Sequence, residues 1–254
     1  MLAVSDAGWS SASADVLRRE AAALGELAAL QLDPCFAGVG LPRGDGRTVL
    51  VLPGLFGNDF YLQPLHRWLR RIGYRPASST LSVNAGCPDR LRTQVETGLR
   101  RTRRRRPGPI ALIGHSRGGM LAWAIASRLQ GEASHLVLLG SPAPALVAAT
   151  RAASGVDYAK VATSPVAAAG RQSLKLLDPD CTVPECGCPY TDDLRRDLSG
   201  DTRVLAVFSR DDQIVAPAAC QVPGATNLEV RGTHSGLVYN RAVYPPVARF
   251  LAAH

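Results

Sequence analysis

A hydroxyl, an imidazole and a carboxylate stand in three separate stretches of this chain, each in a setting suited to nucleophilic chemistry at a carbonyl. Ser116 lies in Gly114-His115-Ser116-Arg117-Gly118, a G-x-S-x-G pattern directly after the apolar run Ile110-Ala111-Leu112-Ile113. A buried strand that turns sharply into a helix needs small side chains beside the turning residue. Gly114 and Gly118 supply them, and Gly119 leaves further room for the helix. Such a turn lifts the Ser116 hydroxyl clear of the sheet edge and puts it at a helix N-terminus, where partial positive charge favours a developing anion. The pattern alone occurs by chance in many chains. Its weight here comes from the strand-like residues before it, the helix-like residues Met120 to Leu129 after it, and a candidate acid and base further along.

The base should be a histidine near the C-terminus, in a loop that follows a strand. His234, in Arg231-Gly232-Thr233-His234-Ser235-Gly236, meets that description. His66, His115, His135 and His254 are worse placed, being inside a helix or strand, beside the nucleophile, or at the terminus. A carboxylate is then needed to hold the imidazole in one tautomer and to stabilise the imidazolium. Asp211 and Asp212 both follow the strand that ends at Phe208. The spacing to Ile214-Val215 favours Asp212 and leaves Asp211 as a solvated or capping carboxylate. The order serine, aspartate, histidine differs from that of the two main serine-protease folds.

Bringing the three together needs a rigid frame, and the chain is patterned for one. Leu17, Ala21, Leu24, Leu27 and Leu30 predict an amphipathic helix from Ala14 to Leu32, before a loop rich in proline and glycine. Strands are predicted at 48–52, from Pro76 to Leu81, and at 110–113, 135–139, 203–208 and 227–230. Between them fall a helix carrying Tyr61, Leu65, Trp68 and Leu69, a basic helix from Asp89 to Arg106, and the helix after Ser116; a last helix spans Ala242 to Ala253. This alternation predicts an α/β fold, with a mainly parallel sheet covered by helices on both faces. Residues 1–46 are expected to pack as helix and loop on a core of 47–254, with 141–201 inserted as a small cap.

Length and composition agree with a single large domain of 254 residues. No apolar run is long enough to span a bilayer, and the N-terminus lacks a secretion signal. The chain as it stands is therefore expected to be cytoplasmic, and secreted if a leader has been removed. The net charge of +8 is arginine charge, since Lys160 and Lys175 are the only lysines. The run Arg100 to Arg106 would suit anionic lipid headgroups or nucleic acid, but a solvated helix end opposite the nucleophile explains it better. Peripheral contact with anionic lipid stays open, and no nucleic-acid partner is expected. Cys181, Cys186 and Cys188 admit a disulfide, free thiols or a zinc site with a borrowed ligand. Their spacing does not match paired C-x2-C units, so a disulfide is preferred and no metal is expected.

The elbow at 114–118, Ser209 to Val215, and Gly232 to Gly236 together resemble the three catalytic segments of the α/β-hydrolase superfamily, in its chain order. Pro53-Gly54-Leu55-Phe56-Gly57-Asn58 is similar to the oxyanion loop of the lipase and carboxylesterase branch, most closely that of small bacterial lipase-like esterases. The resemblance covers residues 47–142 and 202–252. It departs at Pro53, where many members carry histidine, and that substitution alters loop geometry more than the backbone donors.

The resemblance implies the α/β-hydrolase fold and a small-molecule ester substrate cleaved through an acyl-enzyme on Ser116, with no cofactor. It also implies that the backbone amides of Leu55 and Arg117 face the oxyanion. Phe56, Phe60, Tyr61 and Leu237 are candidate pocket walls. Apolar cap helices at 145–153 and 161–177 would shelter medium acyl chains, although core packing accounts for them equally well. The same triad would also serve an acyltransferase or a thioesterase. A non-catalytic binding protein is disfavoured by the intact Ser116, Asp212 and His234.

Overall fold

In a computed structural model, residues 11–144, 178 and 188–253 are described. Six strands, β1 (Thr48–Leu52), β2 (Arg75–Ala77), β3 (Ile110–His115), β4 (Ala133–Leu139), β5 (Arg203–Ser209) and β6 (Thr226–Val230), form one sheet. Its order is β2-β1-β3-β4-β5-β6, and every neighbouring pair is parallel. The helices of the described residues are α1 (Ser11–Glu20), α2 (Ala23–Leu32), α3 (Gln63–Arg71), α4 (Pro88–Arg105), α5 (Arg117–Ala126), α6 (Pro189–Arg195) and α7 (Tyr244–Ala252).

The central strands are apolar throughout because both faces are covered, and successive side chains enter opposite layers. Val49, Val51, Ile113, Val137 and Val207 face a layer closed by α3, α7, Leu30 of α2 and Phe36. Leu50, Leu52, Leu112, Leu136 and Ala206 face a layer closed by α4, α5 and α6. In the first layer Trp68 and Tyr244 meet edge to face with centroids 4.6 Å apart, and the Trp68 indole donates to the Cys35 carbonyl at 3.0 Å. The second layer is edged by a buried ion network. The Arg92 guanidinium, 6% exposed, contacts Asp89, Glu96 and Asp193, while Arg128 reaches the same Asp193 at 3.1 Å. Several arginines of this basic chain thus tie α4, α6 and the end of α5 together. At the far end of α4, Arg105 and Arg106 join Arg47, Arg75, Arg203 and His135 around a cleft of about 750 Å³. It lies at the starts of the strands, the opposite pole from Ser116, as expected for the arginine run.

Three expectations about elements change. The N-terminal helix is two helices, with a tight turn at Ala21-Ala22 closed by bonds from Ala22 to Arg19 and from Leu24 to Ala21. Its buried face differs in part: Leu30 is buried as expected, with Val16 and Ala23 beside it, whereas Leu17 and Leu24 are exposed. The face is chosen by Glu20 and Glu26, which turn inward to bond residues 233–235. The strand expected to reach Leu81 ends at Ala77, where Ser78 and Ser79 bond Asp59 instead of continuing the ladder. The expected cap helices at 145–153 and 161–177, with Cys181 and Cys186, lie outside the described residues. Cys188 stands at the N-terminal end of α6, and Cys35, Cys87 and Cys220 are free thiols. Among the described residues no helix is long and apolar enough to cross a membrane, and no cluster of metal-ligating side chains occurs.

Candidate active site

Ser116 sits at the junction of β3 and α5 with φ 53° and ψ −124°, a conformation that costs an L-residue about 1–3 kcal/mol. Its amide is held by the Leu139 carbonyl at 2.8 Å. The flanking glycines make the turn sterically possible. A Cβ on Gly118 would come within 2.4 Å of the Leu52 and Pro53 carbonyl oxygens. One on Gly114 would meet the Gly118 carbonyl at 2.4 Å, and one on Gly119 the Ser141 hydroxyl at 2.0 Å. The helix therefore starts in van der Waals contact with the ends of β1 and β3, and only glycine fits between them.

His234 and Asp212 are brought together from the loops after β6 and β5. Both are buried, and His234 Nδ1 lies 2.6 Å from Asp212 Oδ2. The other carboxylate oxygen of Asp212 accepts the amides of Ile214 and Val215, each at 2.8 Å. An acceptor so fixed puts the imidazole hydrogen on Nδ1 and leaves Nε2 as the basic nitrogen. The ring packs on Gly140, whose Cβ would stand 3.2 Å from Nδ1. Gly140 directly follows Leu139, the residue whose carbonyl anchors the Ser116 amide, so the His234 imidazole and Ser116 flank one short stretch at the end of β4. Asp211 is turned away: Arg231 Nε lies 2.6 Å from its carboxylate, which also accepts the Gly232 amide at 3.2 Å. Ser209 joins the two loops, donating to the Gly232 carbonyl at 2.6 Å and accepting the Asp211 amide at 3.1 Å.

The loop after β1 closes over the elbow. A Cβ on Gly54 would lie 2.9 Å from the His115 ring and 3.3 Å from Ser116 Cβ. Asn84 laces the loop in place. Its side chain donates to the Pro53 carbonyl at 2.6 Å, and its carbonyl accepts the Phe56 amide at 3.0 Å. Arg117 reaches the same segment, donating to the Gly86 carbonyl at 2.6 Å. Among the described residues no group accepts a hydrogen bond from the Leu55 amide.

Two of the residues expected to be pocket walls have other roles. The Tyr61 hydroxyl accepts the Gly54 amide at 2.6 Å and lies 3.0 Å from His115 Nδ1. Leu237 is fully buried in the core, beside a void of about 10 Å³ that is too small for an acyl chain. Its spacing after His234 follows the packing of a 3₁₀ turn, Ser235–Val238, and not a pocket. Phe56 and Phe60 remain exposed beside the loop.

His115 is the residue that pattern reading passed over as a mere flank of the nucleophile. It is buried, and its Nε2 lies 3.0 Å from the His234 carbonyl. A carbonyl only accepts, so Nε2 carries the hydrogen and Nδ1 accepts from the Tyr61 hydroxyl. A chain of bonds therefore runs from the Gly54 amide through Tyr61 and His115 to the carbonyl of His234. Burial, with the neighbouring His234 in second place, pushes the His115 pKa down to about 3, so this ring stays neutral.

Comparison with known proteins bears on the fold that carries these residues. The family model of the thioesterase domain matches residues 99–164, which include β3, the elbow, α5 and β4. A search of curated proteins finds no match. Among solved structures, the chain is similar to epoxide hydrolases of the α/β-hydrolase superfamily from hot-environment metagenomes (17% identity, covering 84% of this chain and 93% of that one, TM-score 0.56). It is also similar to a metagenome-derived lipolytic enzyme (14% identity, 84% and 96% covered, TM-score 0.54). The Bacillus licheniformis lipase BlEst2 is a further neighbour (12% identity, 85% and 96% covered, TM-score 0.54). The sheet order, the strained serine at the end of β3 and these likenesses define an α/β-hydrolase fold.

Proposed function

We propose that the protein is a serine hydrolase that cleaves carboxylic esters through an acyl-enzyme on Ser116. What supports this reading above all is the 2.6 Å bond from His234 Nδ1 to Asp212, which leaves Nε2 as the base beside the elbow. In the first step Nε2 takes the Ser116 proton while Oγ forms a bond to the ester carbonyl carbon. The carbonyl oxygen becomes an oxyanion facing the Leu55 and Arg117 amides. Losing one such donor typically costs about 3–4 kcal/mol. The oxyanion collapses, the alcohol leaves with the proton from His234, and water repeats the sequence to release the acid. The Asp212 carboxylate stabilises the imidazolium as it forms. A fluorophosphonate probe tests the proposal. Labelling of the parent that is lost in Ser116→Ala is expected, and an unlabelled parent protein would refute it.

A thioester substrate is the second reading, favoured by the match of the thioesterase domain across the elbow. The nucleophile, base and donors are unchanged, and only the leaving group differs. Comparing kcat/KM for p-nitrophenyl butyrate and for the butyryl thioester of N-acetylcysteamine separates the two. A competing alcohol acceptor in the same assay reports acyl transfer. Medium-chain esters are the expected optimum, and exclusive turnover of acetate would overturn that preference.

A further inference from the structure

We propose that Glu20 and Glu26, on the N-terminal helices α1 and α2, are positioning residues for His234, making these helices part of the catalytic apparatus. The proposal rests on the serine-hydrolase reading above. Three consecutive amides of the base loop end on these two carboxylates. Thr233 N–H donates to Glu26 Oε1 at 2.9 Å, His234 N–H to Glu20 Oε1 at 3.1 Å, and Ser235 N–H to Glu20 Oε2 at 2.7 Å. These amides open the 3₁₀ turn Ser235–Val238, so the turn itself offers them no acceptor. Bonds to a carboxylate are also shorter and stronger than bonds to a neutral oxygen.

The fit around Glu26 is close. A Cβ on Gly236 would come within 1.8 Å of Glu26 Oε2, and one on Gly232 within 3.0 Å of Oε1. Oε2 is buried without a hydrogen-bond partner among the described residues. Burial accordingly holds the Glu26 carboxyl above its ordinary range, against the opposing Thr233 amide. A half-buried carboxylate wedged between the two glycines of a loop fixes that loop in one place.

His234 is then held at three points. Glu20 takes its amide, His115 its carbonyl, and Asp212 its ring. The last two come from the hydrolase core, whereas the first comes from a segment more than two hundred residues away. Removing the Glu20 carboxylate leaves the ring bonded to Asp212 but frees the backbone that carries it. Misplacement of a reacting group by about 1 Å can cost on the order of 100-fold in rate.

The test compares the parent, Glu20→Ala, Glu20→Gln and Glu26→Ala at a temperature well below every thermal midpoint. Readouts are kcat and KM for p-nitrophenyl butyrate and the rate of fluorophosphonate reaction at Ser116. We expect Glu20→Ala to lower kcat and the labelling rate together by about 10- to 100-fold, with KM within about twofold. Glu20→Gln should recover part of the loss, because its amide oxygen still accepts one of the two hydrogens. A folded Glu20→Ala with kcat within about twofold of the parent would overturn the proposal and leave the triad reading intact. Should Glu20→Ala fail to fold, Glu20→Gln decides in the same way: parental kcat overturns the proposal, and a kcat loss at constant KM supports it. A parent that the probe does not label removes the serine-hydrolase reading and this proposal with it.

Discussion

Replacing Tyr61 by phenylalanine removes one oxygen and keeps the ring, which isolates the bond chain beneath the elbow. The hydroxyl accepts the Gly54 amide at 2.6 Å and donates to His115 Nδ1 at 3.0 Å. Both partners are buried, and phenylalanine satisfies neither. A buried polar group left unpaired costs about 1–3 kcal/mol, so two of them should cost about 2–4 kcal/mol after some relaxation. For a domain of this size, that corresponds to a fall in thermal midpoint of roughly 4–8 °C. Activity should fall as well. Gly54 precedes Leu55, whose amide is the proposed oxyanion donor, and complete loss of a donor would cost about 100- to 1,000-fold in kcat. A displaced donor should cost part of that, about 10- to 100-fold, with little change in KM. Scanning calorimetry and initial rates on p-nitrophenyl butyrate measure both quantities. If Tyr61→Phe melts within about 1 °C of the parent and keeps kcat within about twofold, the bond chain carries neither stability nor geometry, and the reasoning is wrong.

Other consequences are equally direct. Asp212→Asn should keep the fold, because its side-chain oxygen can still accept the Ile214 and Val215 amides, while kcat drops on the order of 10⁴-fold from loss of the productive tautomer; activity within tenfold of the parent would remove Asp212 from the mechanism. Gly118→Ala pushes a methyl group against two backbone carbonyls at the end of β1, which cannot swing aside, so chemical denaturation should register a loss of about 3 kcal/mol. Acid should destabilise the fold earlier than carboxylate titration alone. His115 is depressed to about 3 and His135 to about 4, both chiefly by burial. A depressed histidine binds its proton more readily in the unfolded chain, so its stabilising contribution is complete above about pH 6.5. It is lost as the pH falls toward the folded values, at up to about 1.4 kcal/mol per pH unit for each ring. Denaturant midpoints that stay flat between pH 6.5 and pH 4 would contradict the buried, neutral state of both histidines.

What could be read from the chain and what could not divide along a physical line. The central strands were legible because a strand covered on both faces must be apolar at every position, and Thr48–Leu52 and Ile110–His115 are so apart from their ends. The elbow was legible because close approach of helix and strand admits only glycine at 114, 118 and 119, a constraint written within six residues. The roles of Tyr61, Asn84 and His115 left no such mark. Each depends on one polar atom meeting a backbone group from another loop, and a single hydrogen bond imposes no period on its neighbours.

The N-terminal helices make the point most sharply. Periodicity assigns leucines to the buried face and glutamates to solvent, which is the right expectation for a helix packing on an apolar surface. The surface that α1 and α2 meet is apolar where Val16, Ala23 and Leu30 are buried, but at Thr233, His234 and Ser235 it is a row of amides that need acceptors. Against such a surface carboxylates are the complementary side chains, so Glu20 turns in and Leu17 and Leu24 turn out. The hydrophobic pattern of a helix therefore reports its partner only when that partner is apolar. Where some leucines of an amphipathic helix end exposed while its glutamates are engaged, polar contacts share in setting its position. Here those contacts fall on the residue proposed as the general base.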